Sequence, residues 1–439
     1  MRRCCLTRDA GWADTPTPDP YVPNCFNPDC FVSHAFRWQN GVMTDLGVLP
    51  GGQNSSAVWI SDNGLIAGQS ENGLIDPLVS GFAELRAVLW QNGRIIDLGT
   101  LGGNESSAFA VNSRGEVVGV AVNTIPDPFS FLATQLRAFL WQNGVMHDLG
   151  ILGGPEAWAL FVNERGQIAG FSFTNATANP ITGLPTQDPF LWENGTMVDL
   201  GTLGGTLGSP FSLNNWGQVV GTSNLAGDLT AHPFLWDREV LTDLGTLGGS
   251  FGIAYSVNDS GEVVVGATIQ NDRAFLAFLW RNGLMTSLGT VNGDDCSVAR
   301  NINSSGQIVG QSFSCAGGPS HAFLWDGDGP MIDLTTLIPP NSGLQLSIAF
   351  GVNDRGEIAG LELPLSSSCA DPFVCGHAFL LIPCGGEDSD NVACEDHAGG
   401  KTDVAPGNPG SAIQGSTKAT QVNPARERMA PFRARRRHD

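Results

Sequence analysis

One short phrase recurs along almost the whole chain and constrains its fold more than any other feature. It is clearest at 321–334, where His-Ala-Phe-Leu-Trp precedes a short Asp/Gly turn and then Met-Ile-Asp-Leu. Its tryptophan recurs every 44 to 52 residues, as Trp38, Trp90, Trp141, Trp192, Trp236, Trp280 and Trp325. An eighth copy, residues 377–381, ends in leucine instead of tryptophan. Self-similarity at this period is typical of repeat folds in which each copy packs on its neighbours.

Each copy contains four short runs with strand character, separated by turn residues. In the second copy these are Ser56–Ser61, Leu65–Gln69, Ala87–Gln91 and Arg94–Leu98, with Asn-Gly turns at 63–64 and 92–93. Four antiparallel strands per copy predict an all-β fold, a β-propeller of four-stranded blades. The count is seven to eight blades, and six complete copies with a partial copy at each end favour eight with an incomplete seam.

The sequence also resembles a known family. The copies "HAFLWDGDGPMIDL", "DLGTLGG" and "VNDRGEIAG", closed by "HAFLLIP", are similar to HAF-repeat proteins, a family of extracellular bacterial proteins. The resemblance covers about 31–383. It implies an extracellular location and assigns no activity to any residue.

The composition argues against some partners. The chain has 43 acidic residues against 22 Lys and Arg, with a net charge of −21. Because nucleic-acid binding requires phosphates to be neutralised by Lys and Arg, we expect no nucleic-acid partner. No apolar run approaches the roughly 18 residues of a membrane-spanning helix, so we expect no membrane span.

The ends of the chain differ from the repeats. Residues 1–30 lack the features of a signal peptide, yet 11–38 align with 119–141, the end of a second strand and the loop after it. We therefore interpret 1–30 as a truncated or irregular N-terminal segment, which would explain the missing export signal. Residues 31–383 form the propeller domain, and 384–439 have the composition of a disordered tail.

The cysteines suggest disulfides. Pairs are expected at Cys296/Cys315, Cys25/Cys30, Cys369/Cys375 and Cys384/Cys394, all in loops or at strand ends. Such placement indicates an oxidising compartment, with free thiols in a reducing one as the alternative.

We name the four strands of a copy A to D, from the axis outwards. Nearly all length variation between copies falls in the B–C connection, whereas the A–B and C–D turns hardly vary. Connections that change length are where repeat folds carry function. In an up-down blade the B–C and D–A connections share one face, which we call the long-loop face. Its long loops are predicted at about 70–86, 120–137, 171–188 and 361–376.

Few residues suggest chemistry. The recurring tryptophans are interpreted as blade packing, and the Asp before each Leu-Gly as a turn cap. Trp59 and Trp158 lie outside the recurring series, in or beside strands A, and are the candidate ligand-binding residues near the axis. No catalytic residue, metal site or cofactor is predicted, because no nucleophile, phosphate-loop or metal-ligand motif is present.

The sequence therefore favours a non-catalytic extracellular propeller whose long-loop face binds a protein or glycan ligand. The alternative is a secreted propeller hydrolase or lyase acting on polysaccharide. A glycosidase would need two carboxylates about 5–9.5 Å apart in one cleft.

Overall fold

The structure is a computed structural model that describes residues 8–27, 29–39, 41–77, 81–130, 132–327, 329–364 and 376–383. Its regular elements are strands, apart from two single 3-10 turns at Gln270–Asp272 and Leu334–Leu337. The predicted tail, and the cysteines at 369, 375, 384 and 394, lie outside the described residues.

In the described residues thirty strands form eight antiparallel sheets in chain order, of which the fourth, fifth and sixth are joined by single parallel pairings into one 12-stranded sheet. The first four sheets are β1 (Arg8–Pro18), β2 (Phe31–Gln39), β3 (Val42–Asp45); β4 (Ser55–Ile60), β5 (Ile66–Ile75), β6 (Ala83–Gln91), β7 (Arg94–Asp97); β8 (Ser106–Val111), β9 (Val117–Pro126), β10 (Thr134–Gln142), β11 (Val145–Asp148); and β12 (Ala157–Val162), β13 (Ile168–Phe173), β14 (Gln187–Glu193), β15 (Thr196–Asp199). The last four are β16 (Gly204–Leu213), β17 (Val219–Leu225), β18 (Ala231–Asp237), β19 (Val240–Asp243); β20 (Gly248–Val257), β21 (Val263–Ile269), β22 (Phe275–Arg281), β23 (Leu284–Ser287); β24 (Cys296–Ile302), β25 (Gln307–Phe313), β26 (Ser320–Asp326), β27 (Ile332–Asp333); and β28 (Leu344–Val352), β29 (Ile358–Pro364), β30 (His377–Leu381).

The strand order defines a β-propeller. Within each complete sheet the strands pair in the order A-B-C-D, and each strand A contacts strand A of the next sheet. Strands A are therefore innermost, and the all-β propeller prediction is confirmed. Six sheets have four strands and two have three in the described residues. How the first and last sheets share the ring, and so the blade number, stays a prediction.

The first sheet includes a strand from the N-terminal segment 1–30. Strand β1 pairs with β2, from Arg8 opposite Gln39 to Pro18 opposite Phe31. It occupies the strand B position, because β2 carries Trp38 and β3 follows it as strand D. This is the position that the alignment of 11–38 with 119–141 indicates, and the domain boundary at residue 30 stays a prediction.

Both faces of each blade are buried, as the alternating phrase predicts. Phe323 and Trp325 pack towards the preceding sheet, in a cluster with Val264 and Leu279. Ala322, on the other face of the same strand, packs with residues of the following sheet. Trp90, Trp236 and Trp325 are at most 8 % exposed. The structure therefore gives these tryptophans the expected packing role.

Every described strand A carries a β-bulge at the same place. In β24 the pairing moves from Ala299 opposite Gly310 to Asn301 opposite Val309, which leaves Arg300 as the extra residue. The bulge pushes the carbonyl of Val298 over strand B, where it would lie 2.0 Å from a Cβ on Gly310. This explains why a glycine recurs at this position of strand B, where β21 alone among the described strands B opposite a bulge has Val265. The bulged residues are Val58, Phe109, Leu160, Phe211, Tyr255, Arg300 and Phe350.

The A–B turns are linked from blade to blade by one repeated hydrogen bond. The side-chain oxygen of Asn163 accepts from the backbone N–H groups of Arg165 and Gln167, which closes its own turn. Its Nδ2 donates to the carbonyl of Asn214 in the next blade, at 2.9 Å. The same link joins Asn112, Asn163, Asn214, Asn258, Asn303 and Asn353 in series. Because each turn must match its neighbour, this connection cannot change length.

Within the described ranges, no helix is long and apolar enough to cross a membrane.

Candidate functional site

The connections of the long-loop face are cross-linked to one another. Asp228, in the turn between β17 and β18, accepts hydrogen bonds from the N–H of Thr206 at 2.7 Å and its hydroxyl at 2.9 Å. It also accepts from Nδ2 of Asn179 in the preceding B–C loop, at 3.2 Å. Burial acts to raise the pKa of Asp228, but these bonds and one from Asn224 outweigh it and lower the pKa. B–C and D–A connections thus meet on one face, as predicted.

A buried polar network fixes the first part of this face. Asp19 is 2 % exposed and accepts hydrogen bonds from the N–H groups of Tyr21 and Phe26. Asn54, fully buried, donates to Asp19 at 3.0 Å and to Glu71 at 3.1 Å. The amide therefore lies between two acids, and it ties the first B–C loop to the second blade. Buried polar groups of this kind specify one loop conformation.

Two disulfides lie at the predicted positions. Cys25–Cys30 closes part of the first B–C loop, and Cys296–Cys315 joins the start of β24 to the loop after β25. Because a disulfide restricts the unfolded chain and the loop alike, both reduce the freedom of the long-loop face.

Two of the four predicted long loops are in fact extended hairpins. Strand β5 continues to Ile75 and β6 begins at Ala83, while β9 continues to Pro126 and β10 begins at Thr134. The extra residues of these copies therefore lengthen strands B and C. Only the 174–186 connection is a long irregular loop, and most of 361–376 lies outside the described residues. The spacing between copies could not show whether the extra residues belong to a loop or to longer strands, because polar residues interrupt the alternating apolar pattern there.

This face exposes aliphatic side chains. Leu74, Ile75, Ile125, Ile181 and Leu229 are 50 to 85 % exposed. Ile181 and Leu229 lie in loops joined by the bond from Asn179 to Asp228, whereas Leu74, Ile75 and Ile125 lie at the ends of the extended hairpin strands. Apolar side chains on fixed, projecting loops are a common feature of contact surfaces. Sequence reasoning did not single them out, because isolated aliphatic residues in loops carry no motif.

The two predicted ligand-binding tryptophans have different surroundings. Trp59 is 42 % exposed, beside the bulge of β4. Trp158 is 5 % exposed and stacks between Phe109 and Phe171, with ring centroids 5.9 and 5.8 Å apart. The structure does not bring the two together in one site. Ligand binding by either residue stays a prediction, and Trp59 alone has an accessible face.

The recurring Asp of strand D caps its own turn. Asp243 accepts a hydrogen bond from the N–H of Gly245 at 2.7 Å, and Ser287 accepts the equivalent bond from Gly289. The residue at the start of strand C often faces this Asp, as in the 2.9 Å contact of His232 with Asp243. This pairing explains why a polar residue stands at that position.

One blade has an acid where its neighbours have an arginine and a histidine. Asp188 stands at the start of strand C and lies against Asp199, the capping Asp of its own blade. Burial, and then the charge of Asp199 and a proton shared with it, raise the pKa of Asp188 to about 6. The pair lies in the outer half of the blade, on strands C and D, away from the axis. Direct contact also leaves no room for a sugar between the carboxyls, as a glycosidase requires.

The residues described hold one cluster with metal-ligand types, Asp295, Cys296 and Cys315. The two sulfurs are joined in a disulfide, so they are not thiolate ligands. Asp295 accepts a hydrogen bond from the N–H of Cys315, and the neighbouring Asp294 contacts His321 at 3.0 Å. These contacts give the acids a structural role.

A cleft of about 620 Å³ opens on the opposite side, between the third and fourth blades. Its charged groups are largely engaged with protein: Arg114 pairs with Glu116 at 2.6 Å, and Arg165 lies over the ring of Trp216 at 4.2 Å. Fewer charged side chains are therefore free to bind a ligand in this cleft than its lining residues suggest.

No family model and no curated protein matches the chain. Among solved structures, the chain is similar to the β-propeller domain of the Trilobed protease from Pyrococcus furiosus, with 10 % identity over 70 % of this chain and 91 % of that one, at a TM-score of 0.41. It is also similar to dipeptidyl peptidase 4 from Porphyromonas gingivalis, with 11 % identity over 68 % of this chain and 49 % of that one, at a TM-score of 0.44. A third is TolB from Acinetobacter baumannii, with 11 % identity, 68 % and 77 % coverage and a TM-score of 0.34. The class of this protein, a β-propeller, therefore rests on its own strand order and on the contacts between its inner strands.

Proposed function

We propose that this protein is a non-catalytic extracellular propeller scaffold that binds a protein or glycan ligand through its long-loop face. The observation that carries the proposal is the combination found there: connections of neighbouring blades are joined by hydrogen bonds, such as that from Asn179 to Asp228, and the face projects exposed aliphatic side chains. Fixed loops lower the ordering cost of binding, because little conformational freedom remains to be lost.

A protein ligand fits this surface better than a glycan. Leu74, Ile125, Ile181 and Leu229 present branched aliphatic groups, which pack against apolar protein side chains. Sugars are more often stacked on aromatic rings, and Trp59 is the exposed aromatic residue that would supply that contact near the axis.

Two disulfides support an oxidising compartment, and the resemblance to HAF-repeat proteins supports an extracellular one. The catalytic alternative, a polysaccharide hydrolase or lyase, gains no support from the carboxyl geometry at Asp188 and Asp199.

A loop-face variant tests the proposal. Ile125, Ile181 and Leu229 are replaced together by serine, and the matched control replaces Val145, Val240 and Leu284, equally exposed aliphatic residues on the outer strands D. Both variants are compared with the parent in a pull-down from culture medium and on a glycan array. Loss of a partner in the loop-face variant alone supports the proposal. If the folded loop-face variant retains every partner, or the outer-strand control loses it instead, the proposed face is wrong.

A further inference from the structure

Four consecutive blades place their bulged residues in one connected column at the inner wall. Phe211 and Tyr255 meet edge to face with centroids 6.2 Å apart, and the guanidinium of Arg300 lies 5.3 Å from the ring centre of Phe350. Tyr255 and Arg300 lie on the two middle blades, and each affects the pKa of the other. All four side chains are partly exposed. We call this set the axial column.

The bulge places these side chains at equivalent positions of neighbouring strands A. A bulge adds one residue to a strand and re-aims its side chain, and bulges are over-represented next to active sites. Here the added residue falls at the same position in each strand A, and the side chains of neighbouring blades come into contact as Phe211 with Tyr255 and Arg300 with Phe350.

Arg300 is the only cation among the bulged residues, and its charge is unbalanced. No carboxylate contacts it within the described part of the chain, and its Nε is enclosed without a hydrogen-bond partner. Burial lowers the pKa of Arg300, with the opposing effect of Tyr255 smaller.

Several other arginines of this acidic chain contact an acid. Arg137 contacts Asp148, Arg281 contacts Glu262, and Arg355 contacts Glu357. Like Nε of Arg37, Nε of Arg300 is enclosed without a partner, which is costly, and a bound anion would supply the missing acceptor.

We propose that the axial column is a binding site for a small organic carboxylate with an aromatic body. The carboxylate accepts two parallel hydrogen bonds from the guanidinium of Arg300, a geometry to which the planar fork is suited. The phenol of Tyr255 supplies a further donor, and the rings of Phe211 and Phe350 border the site for the aromatic body. This site is independent of the long-loop face, so either proposal can fail alone.

The test is titration calorimetry of the full chain with sodium benzoate, alongside benzamide as its neutral isostere and inorganic phosphate. Benzoate is expected to bind at least tenfold more tightly than either. Arg300→Met should weaken benzoate binding at least tenfold. The matched control Arg281→Met removes an arginine at the end of strand C in the preceding blade, whose side chain is 57 % exposed and paired, and it should bind benzoate as the parent does.

Four results would contradict the proposed carboxylate site. Equal binding of benzoate and benzamide, preference for phosphate, no benzoate binding by the parent, or unchanged binding by Arg300→Met would each overturn the proposal. If Arg300→Met does not fold, Arg300→Lys decides instead. It keeps the charge but loses the fork, and it should weaken benzoate binding severalfold while leaving the circular dichroism spectrum unchanged; parent-like binding would overturn the proposal.

Discussion

The pair of Asp188 and Asp199 in the fourth blade should make the free energy of unfolding fall as pH rises. Asp188 has an ordinary pKa of 3.8 in the unfolded chain and about 6 in the folded protein. Below pH 3.8 it is protonated in both states. Between pH 3.8 and about 6 the folded protein keeps a proton that the unfolded chain has lost, so stability falls as pH rises. Above about pH 6 the full destabilisation is present.

The size of the effect follows from the difference between the two pKa values. That difference corresponds to about 3 kcal/mol at 1.36 kcal/mol per pKa unit. Because the carboxyl is partly exposed, solvent screening reduces the expected effect to about 1 kcal/mol. Asp188→Asn removes the ionisation and should raise the free energy of unfolding by about that amount at pH 7.5, with little change at pH 3.5.

Urea denaturation followed by tryptophan fluorescence, at several pH values from 3.5 to 8, measures this difference. The control is His232→Asn, the same replacement at the equivalent position of the next blade, where a histidine faces its Asp at 2.9 Å. It removes a favourable contact and should not stabilise the protein. An Asp188→Asn effect that is the same at pH 3.5 and 7.5 would refute the reasoning.

Three further predictions concern the scaffold. Trp236→Ala leaves a cavity between the fourth and fifth blades and should lower the free energy of unfolding by about 3–5 kcal/mol in urea denaturation, while ligand binding by the folded variant is kept. Lost binding in a folded variant would contradict the packing role. Asn163→Ala removes the bonds within its turn and to the next blade and should cost about 2–4 kcal/mol; a loss below about 0.5 kcal/mol would show that the turn links contribute little. Replacing Cys296 and Cys315 by serine should cost about 2–4 kcal/mol, and a reducing agent should lower the parent's urea midpoint towards the variant's. A parent insensitive to reduction would count against this disulfide.

The repeat alone determined the fold class. A period of 44 to 52 residues with four strand signals leaves few arrangements, since each blade is apolar on both faces and needs a neighbour on each. The turn-capping role of Asp243 and the two disulfides followed from local chemistry and spacing, and the structure confirms them.

Other features exist only in the folded ring. The bulge that brings Arg300 beside Phe350 leaves no sequence signal beyond a glycine in strand B, because a bulge is a mismatch between two strands. The link from Asn163 to Asn214 joins residues of different blades, and the spacing showed only that the turn is constant. Burial of Trp158 depends on rings from two other strands, Phe109 of β8 and Phe171 of β13. The sequence therefore determined the strands and turns of each blade, through local and periodic chemistry. Tertiary structure decided what the blades place together, because contacts between neighbouring blades join residues about 50 positions apart.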